Sequence, residues 1–565
     1  MEEKKLTGYP SIDKPWLKYY PDGANEIPIP AKTAWQFVYD KQKENGNNIA
    51  FRYLGKKINY ATFFSAVEAC AKSLKAMGIQ SGDIVTLALP TAPETIYIFY
   101  ALNRIGAVSN AMDPRLKASE FLHSIKETDS KYVFATDMSI PELLTVAHDN
   151  NLSIVQVSPF ISAPAIIKLL VRAKNKKSEA IMDWNSFLRQ GSTYTGTIDE
   201  HYEHNAPVTI VHTGGTTGIP KGVVLTNENF NAMALTQEIS GFNLAPKDSF
   251  LTFLPPFIAY CLVNAIHDPL YLGFENTLVP QFEYSDFPNL ILKHKPNHVL
   301  GGPILWDNLM RSELAQKADL SFLKSPISGG DSMNIELEHR INAFFAAHNC
   351  AYHIQQGYGM SEVSAAACYS SEKSYCAGSV GIPYVKNVIS IFDIETQEEL
   401  TYGNEGEVCI QSPTMMKEYY NNPSETNALI RTHSDGSVWL HTGDCGIMNC
   451  NGNLFIKGRL KRMIVRSGNK IFPATVESVI MQNPSVLNCA VVQMPHKDER
   501  HVPVAFLVVK EDTPENITYL LKQQIGEVLP EFNIPYDFIF KDALPLTGIN
   551  KIDFRTLEKE AAEMQ

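Results

Sequence analysis

Between residues 213 and 222 the chain reads Thr-Gly-Gly-Thr-Thr-Gly-Ile-Pro-Lys-Gly, a concentration of backbone freedom, hydroxyl groups and one cation. Gly214, Gly215 and Gly218 let main-chain N–H groups converge, Thr213, Thr216 and Thr217 add hydroxyl donors, and Lys221 adds charge. Convergent donors of this kind form a nest for an anion such as phosphate. A plain hairpin turn needs one or two glycines and has no use for the threonines. The ordinary P-loop does not fit either, because there Gly-Lys is followed at once by Ser or Thr and opens a helix. Here Lys221 stands between Pro220 and Gly222, and the flanks "VTIVHT" and "GVVLT" are β-branched runs that predict two strands joined by this loop.

Further short stretches follow in order: "SGGD" (328–331), "QQGYGMSE" (355–362), "WLHTGD" (439–444), "GRLKRMIVRSGNKIFPATVE" (458–477) and "PLTGINKID" (545–553). Each alone is weak, whereas their order and separation together are specific. From about residue 50 to 555 the chain resembles the adenylate-forming superfamily, which contains acyl-CoA synthetases, the adenylation domains of nonribosomal peptide synthetases and beetle luciferases. The resemblance is least distinct between 140 and 200.

It implies an enzyme that joins a carboxylate to the α-phosphate of ATP, releases pyrophosphate and hands the acyl group to a thiol, here CoA. Its first step brings two anions together, so positive charge and oriented N–H groups at the transition state are the remedy. The loop from Thr213 to Lys221 would cradle the β- and γ-phosphates. Glu362 is similar to the family's Mg²⁺ carboxylate, in keeping with a metal that takes one or two carboxylates and completes its shell with phosphate and water. Ser361, where the family more often has Thr, would donate to the α-phosphate. Tyr358 and Gly359, with Gly330 and Asp331, would border adenine; Asp444 would accept from both ribose hydroxyls, and Arg459 would add a nucleotide contact from beyond the joint. Lys551 matches a lysine near the family's C-terminus that neutralises charge shared by the carboxylate and the α-phosphate. Pro545 and Thr547 match with it, while Asn550 replaces a glycine; Asn tolerates positive φ better than other such residues.

The same resemblance implies that the C-terminal domain rotates after the first step, with Lys461 as hinge and Gly468 lining a thiol tunnel. Arg462, Arg466 and Lys470 are candidates to meet CoA phosphates. In the acyl pocket, Phe257 is followed by Ile258 where the family often has Phe-His, and no aspartate stands there for a substrate amine. A buried ammonium without a counter-charge is costly, so an apolar acid is expected, a medium- or long-chain fatty acid first and an aryl acid as the alternative. Tyr260, Gly302, Gly329, Val299 and Trp306 are candidate neighbours of that pocket.

These residues have to be carried by layered α/β structure. Residues 57–140 alternate helical and strand patterns, beginning with "YATFFSAVEACAKSLKAMGI" and "GDIVTLALP", and a second series runs from "TNENFNAMALTQEISGF" to "EHRINAFFAAHNCAYHIQQGYG". Several of its strands end in Gly-rich turns, where open α/β sheets place ligands. Short strands with frequent turns between about 385 and 457 predict a β-rich subdomain. The fold class expected is therefore α/β: a large N-terminal domain, residues 1–460, of layered α/β subdomains plus the β-rich one, and a small mobile α+β C-terminal domain, residues 461–565.

At 565 residues the chain exceeds what one core organises. A net charge of -12 without a dominant basic patch argues against nucleic acid as a partner. Nine cysteines, an odd number without a C-x-x-C pair, resemble neither a disulfide framework nor a zinc site. The opening residues lack the apolar core of a signal peptide and no run reaches a membrane span, so a cytoplasmic enzyme is expected. Residues 158–177, "SPFISAPAIIKLLVRAKNKK", form an apolar helix-like segment closing in lysines. A buried surface helix with a solvated basic end is the favoured reading, a membrane-surface contact the other. For the activity, an acid:CoA ligase stands first; a ligase that loads a carrier protein and an inactive relative that binds lipid or nucleotide are the alternatives.

Overall fold

The computed structural model describes residues 6–172, 181–213, 220–545 and 552–564. Two large sheets organise the first three quarters of the chain, one of eight strands and one of nine. The eight-stranded sheet pairs Ile84–Ala88, Val108–Ala111, Tyr132–Ala135, Ser153–Gln156 and Pro207–Thr213 in parallel. The nine-stranded sheet does the same with Ile49–Tyr53, Ser249–Thr252, Glu275–Leu278, His298–Gly301, Ser325–Ser328 and Gln355–Tyr358. Parallel pairing demands crossovers, which helices Pro93–Arg104 and Ala118–Thr128 supply in the first sheet and Phe287–His294, Pro303–Arg311 and Ile335–Ala347 in the second, while Tyr60–Ala76 and Asn227–Ile239 link the two sheets. One core joins Phe51, Phe250 and Leu278 of one sheet to Val85, Val208 and Val223 of the other. Helix Pro93–Arg104 lies so deep in it that ten consecutive residues from Glu94 to Asn103 are buried, which explains its apolar sequence on every face.

Glu94 is the exception within that helix. Ser162 donates a hydrogen bond to one carboxyl oxygen while the other is buried without a partner. Burial pushes its carboxyl up to about 7, with Lys168 and Lys56 pulling weakly the other way. Below its ordinary value of 4.5 the group is neutral in folded and unfolded chains alike; above about 7 the fold must hold it charged, so it destabilises at high pH. Glu94→Gln is therefore expected to raise the melting temperature at pH 8, by about 1–3 kcal/mol of stability, and to change little at pH 4. Thermal melts at the two pH values check this.

The β-rich subdomain is a five-stranded antiparallel sheet built on Val388–Phe392, Glu405–Gln411, Val438–Met448, Ile430–Thr432 and Leu454–Arg459. A second five-stranded sheet belongs to the C-terminal stretch, where Val486–His496 pairs with Arg500–Val509. That stretch has its own cores, one on Ile464, Val476, Val491 and Leu521 and one on Val492, Phe506 and Leu557. Mixed α/β layering, a β-rich insert and a smaller α+β unit are the expected architecture. All nine cysteines are free thiols, as their spacing predicts.

One expectation fails. Helix Ala165–Arg172 forms, but it is not buried: Ile166 and Leu169 are each 72% exposed. The segment before it is strapped down, by Tyr53 donating to the Pro159 carbonyl and by Ser162 on Glu94, and Ile166 and Leu169 lie on the uncovered side of the helix. No helix among the described residues is long and apolar enough to cross a membrane.

Candidate active site

Antiparallel pairing of Pro207–Thr213 with Lys221–Thr226, ending at Thr213 opposite Lys221, makes the expected strand–loop–strand. Gly214, Gly215, Thr216, Thr217 and Gly218 lie outside the described residues, as does Lys551. At the loop's base, burial pushes the His212 imidazole down to about 4, and its Nε2 pairs at 2.7 Å with the Asn110 side-chain oxygen, which makes this nitrogen the N–H donor. The short strand Glu418–Tyr419 adds to the far edge of Lys221–Thr226. That addition is what brings Tyr419 to the site.

Lys221 pairs with the Glu425 carboxylate and lies 4.7 Å from the Tyr419 ring centroid. Its ammonium holds Glu425 below the usual carboxylate range. Tyr419 in turn donates a 2.6 Å hydrogen bond to Glu362, which is 6% exposed and sits in the tight turn Ser361–Val363. Burial first, and then the Glu362 carboxylate, push the Tyr419 phenol up, so it stays a donor. The turn is strained: Ser364 and Ala365 follow at φ 54° and 85°, and a Cβ on Gly359 would meet the Ala365 carbonyl at 2.0 Å. Gly359 is thus required where the chain folds back on itself.

A second carboxylate is held just as firmly. Asp444, 4% exposed, accepts from Tyr358 at 2.6 Å on one oxygen and from Arg459 Nε at 2.8 Å on the other. The Asp444–Arg459 contact follows from register, since the two are cross-strand partners. Burial raises the Asp444 carboxyl, with Arg459 and then Tyr358 opposing it. Behind it, Glu407 accepts from the Gly443 N–H at 3.0 Å and from His441 Nδ1 at 2.8 Å, which fixes the turn before Asp444. The charge of Arg459 reaches Tyr419 and that of Lys461 reaches Glu425, so the two carboxylate clusters face one region.

Strand ends of the nine-stranded sheet form the opposite wall. Register sets Gly301 beside Ser328 and Ser328 beside Gln356, so Gly302, Gly329 and Gly357 form adjoining steps. A Cβ on Gly302 would lie 3.6 Å from the Gly329 carbonyl, and one on Gly329 would lie 3.1 Å from the Tyr260 hydroxyl. Gly330, at φ 82°, turns the chain toward Asp331, whose carboxylate accepts from the Ser332 N–H at 2.8 Å. Tyr260 opens a π-helical segment, Tyr260–His267, a rare geometry that re-aims side chains. Phe257 lines a small apolar cavity with Leu87, Thr95, Phe99 and Leu262, and Ile258 packs on the main core. Val299 and Trp306 are buried in a neighbouring cluster. Among the described residues, the Tyr260 and Ser328 hydroxyls are buried with no hydrogen-bond partner.

Lys461 lies in the short turn Leu460–Arg462, and Gly468 turns the hairpin between Ile464–Arg466 and Asn469–Ile471 at φ 85° with open space on its Cα. Two neighbouring cations are not free for an anionic ligand as expected. Arg462 donates to Glu477 at 2.6 Å and stacks on Phe554, and Arg466 is bonded to Glu499 and to the Phe532 and Ile534 carbonyls. Both are committed to the C-terminal core, whereas Lys470 is exposed. Tyr419, Glu425, Glu407 and His441 were not readable as site residues, because only strand pairing brings them to Glu362, Lys221 and Asp444.

Tyr419→Phe removes a charge-assisted hydrogen bond from a buried carboxylate, about 1.5–3 kcal/mol. In the reading proposed below, where Glu362 would hold Mg²⁺, it is expected to raise the Mg²⁺ concentration needed for half-maximal pyrophosphate release by about fivefold or more. An unchanged metal titration would count against Tyr419 acting on the metal through Glu362.

Comparison with known proteins identifies the family. The model of the "AMP-binding enzyme" family matches residues 38–420, more than half of the chain, and the "AMP-binding enzyme C-terminal domain" matches 475–551. A long-chain-fatty-acid–CoA ligase of Bacillus subtilis is 28% identical, covering 97% of this chain and 98% of its own. 4-Coumarate–CoA ligase 2 of Petroselinum crispum is 27% identical, covering 90% of both. In fold, ATP-bound MatB from Rhodopseudomonas palustris superposes with a TM-score of 0.81 at 21% identity, covering 94% of this chain and 100% of that one. A match of the family model to residues 38–420, with its C-terminal domain matched at 475–551, makes this protein a member of the AMP-binding enzyme family.

Proposed function

We propose that the protein is an ATP-dependent acid:CoA ligase for an apolar carboxylic acid, a medium- or long-chain fatty acid first. The observation that carries it is the pair of buried, firmly held carboxylates, Glu362 under Tyr419 and Asp444 between Tyr358 and Arg459. In this reading a substrate carboxylate oxygen bonds to the α-phosphorus of ATP as the bond to the pyrophosphate oxygen breaks. The CoA thiol then attacks the acyl carbon, and AMP leaves with the electron pair of the broken bond.

Asp444 binds the ribose hydroxyls, Tyr358 and Gly330–Asp331 border the base, and Ser361 donates to the α-phosphate. Thr213, the loop to Gly218 and Lys221 hold the outer phosphates, for which Lys221 exchanges Glu425 for a stronger anion. A single buried carboxylate with one oxygen fixed by a phenol suits Mg²⁺ that keeps phosphate and water as its other ligands. Glu362 would hold that ion, which when bound neutralises phosphate charge. Lys551 serves the first step. The chain divides at 460/461, and rotation at Lys461 replaces Lys551 by the face carrying Gly468 for the second.

The lining of Phe257, Ile258, Gly302 and Gly329 supports an apolar acid. One observation favours a second reading: the unpartnered Tyr260 hydroxyl beside Gly329 suits an aryl acid with a polar ring substituent, since a buried donor gains most from a ligand that satisfies it. Pyrophosphate release over a panel of fatty, aryl and amino acids, each with and without CoA and with acyl-CoA read by mass, tests the assignment. Fatty or aryl turnover with acyl-CoA formation supports it. Acyl-AMP that accumulates regardless of CoA would point to a carrier protein, and no ATP cleavage with any acid would leave an inactive binding protein.

A further inference from the structure

We propose that helix Ala165–Arg172 is a docking surface for a membrane bearing anionic phospholipid. Ile166 and Leu169, one turn apart, are each 72% exposed, more than any other large hydrophobic side chain among the described residues. Soluble chains rarely leave two such aliphatic groups bare on one short helix, and a bare pair marks an interaction site. Neither residue belongs to the catalytic machinery described above.

Charge identifies the occupant. Within a chain of net charge -12, the helix Ala165–Arg172 contains Lys168 and Arg172 and no Asp or Glu. Aliphatic groups interleaved with cations match a surface that offers phosphate charge at its face and acyl chains just beneath. The helix is also held in readiness. Ser162 and Ala163 are buried, Ser162 is bonded to Glu94, and Tyr53 holds the Pro159 carbonyl, so the segment leading into the helix is fixed to the body while Ile166 and Leu169 stay exposed. Glu94 precedes Thr95, which lines the apolar cavity with Phe257, so the surface is anchored to the helix that borders the acyl pocket. The inference does not depend on which acid is used, because lipid binding is read without turnover.

Flotation of the full chain with vesicles of phosphatidylcholine alone, or of phosphatidylcholine mixed with phosphatidylglycerol, tests it. The protein is expected to float with the anionic vesicles, to be released as salt rises, and to stay behind with phosphatidylcholine alone. Ile166→Ser with Leu169→Ser is expected to lower partition by about tenfold or more, and Lys168→Glu alone by several-fold, with unchanged melting temperature and unchanged turnover of a water-soluble acid. Absence of wild-type flotation would overturn the proposal, as would equal flotation of the wild type and the double variant, or salt-insensitive binding to both vesicles. Self-association in the absence of lipid that the double variant abolishes would assign the helix to a second copy of the chain and overturn it equally.

Discussion

Lys551→Ala is expected to slow acyl-adenylate formation by about 10²–10³-fold while leaving transfer from supplied acyl-AMP to CoA within about twofold. The asymmetry follows from charge. In the first step a carboxylate approaches a triphosphate, and one cation about 4 Å from the meeting point, at an effective dielectric of about 20, offsets roughly 4 kcal/mol of that repulsion. In the second step the electrophile is a mixed anhydride whose leaving group, AMP, already carries its charge away, so the same cation has little left to do. Lys551 lies outside the described residues, in the stretch "PLTGINKID". Pyrophosphate release and single-turnover thioester formation, measured separately, check it; equal losses in both would count against a two-faced C-terminal domain.

Asp444→Asn should raise the KM for ATP by about 10²-fold with a smaller change in kcat. Both carboxylate oxygens already accept from charged or phenolic donors, Arg459 at 2.8 Å and Tyr358 at 2.6 Å. An amide can accept on one side only, so its NH₂ group would face a donor with no acceptor between them. Leaving a buried donor unpaired costs about 1–3 kcal/mol, to which the lost ribose contact adds. Tyr358→Phe is the milder control: the ring stays beside the base, one oxygen of Asp444 loses its donor, and about a five- to tenfold rise is expected. ATP binding measured by calorimetry separates affinity from turnover. Equal affinity in wild type and Asp444→Asn would remove this carboxylate from the nucleotide site.

Legibility differed sharply between these residues. Asp444, Glu362, Tyr358 and Arg459 stood out because each lies in a short stretch that resembles a family motif, and their expected roles came from that resemblance. Arg462 and Arg466 looked equally available in the sequence, but Glu477 and Glu499 claim them in the fold. Cation counts do not reveal which acids will be near. The apolar helix at 165–172 was misread in the opposite direction, since hydropathy alone cannot say which side of a helix the rest of the chain will cover.

By itself the sequence determined the layered α/β class, the two strands around Lys221 and the glycines at strand ends. These are local matters, decided by side-chain periodicity and by where backbone must turn or approach closely. Only the tertiary structure decided that Tyr419 would hold Glu362, that Glu425 would occupy Lys221, that Glu407 and His441 would brace the turn before Asp444, and that Ile166 and Leu169 would face outward. Each of these depends on sheet register or on burial between segments far apart in sequence, and neither is written in the residues next to the ones it joins.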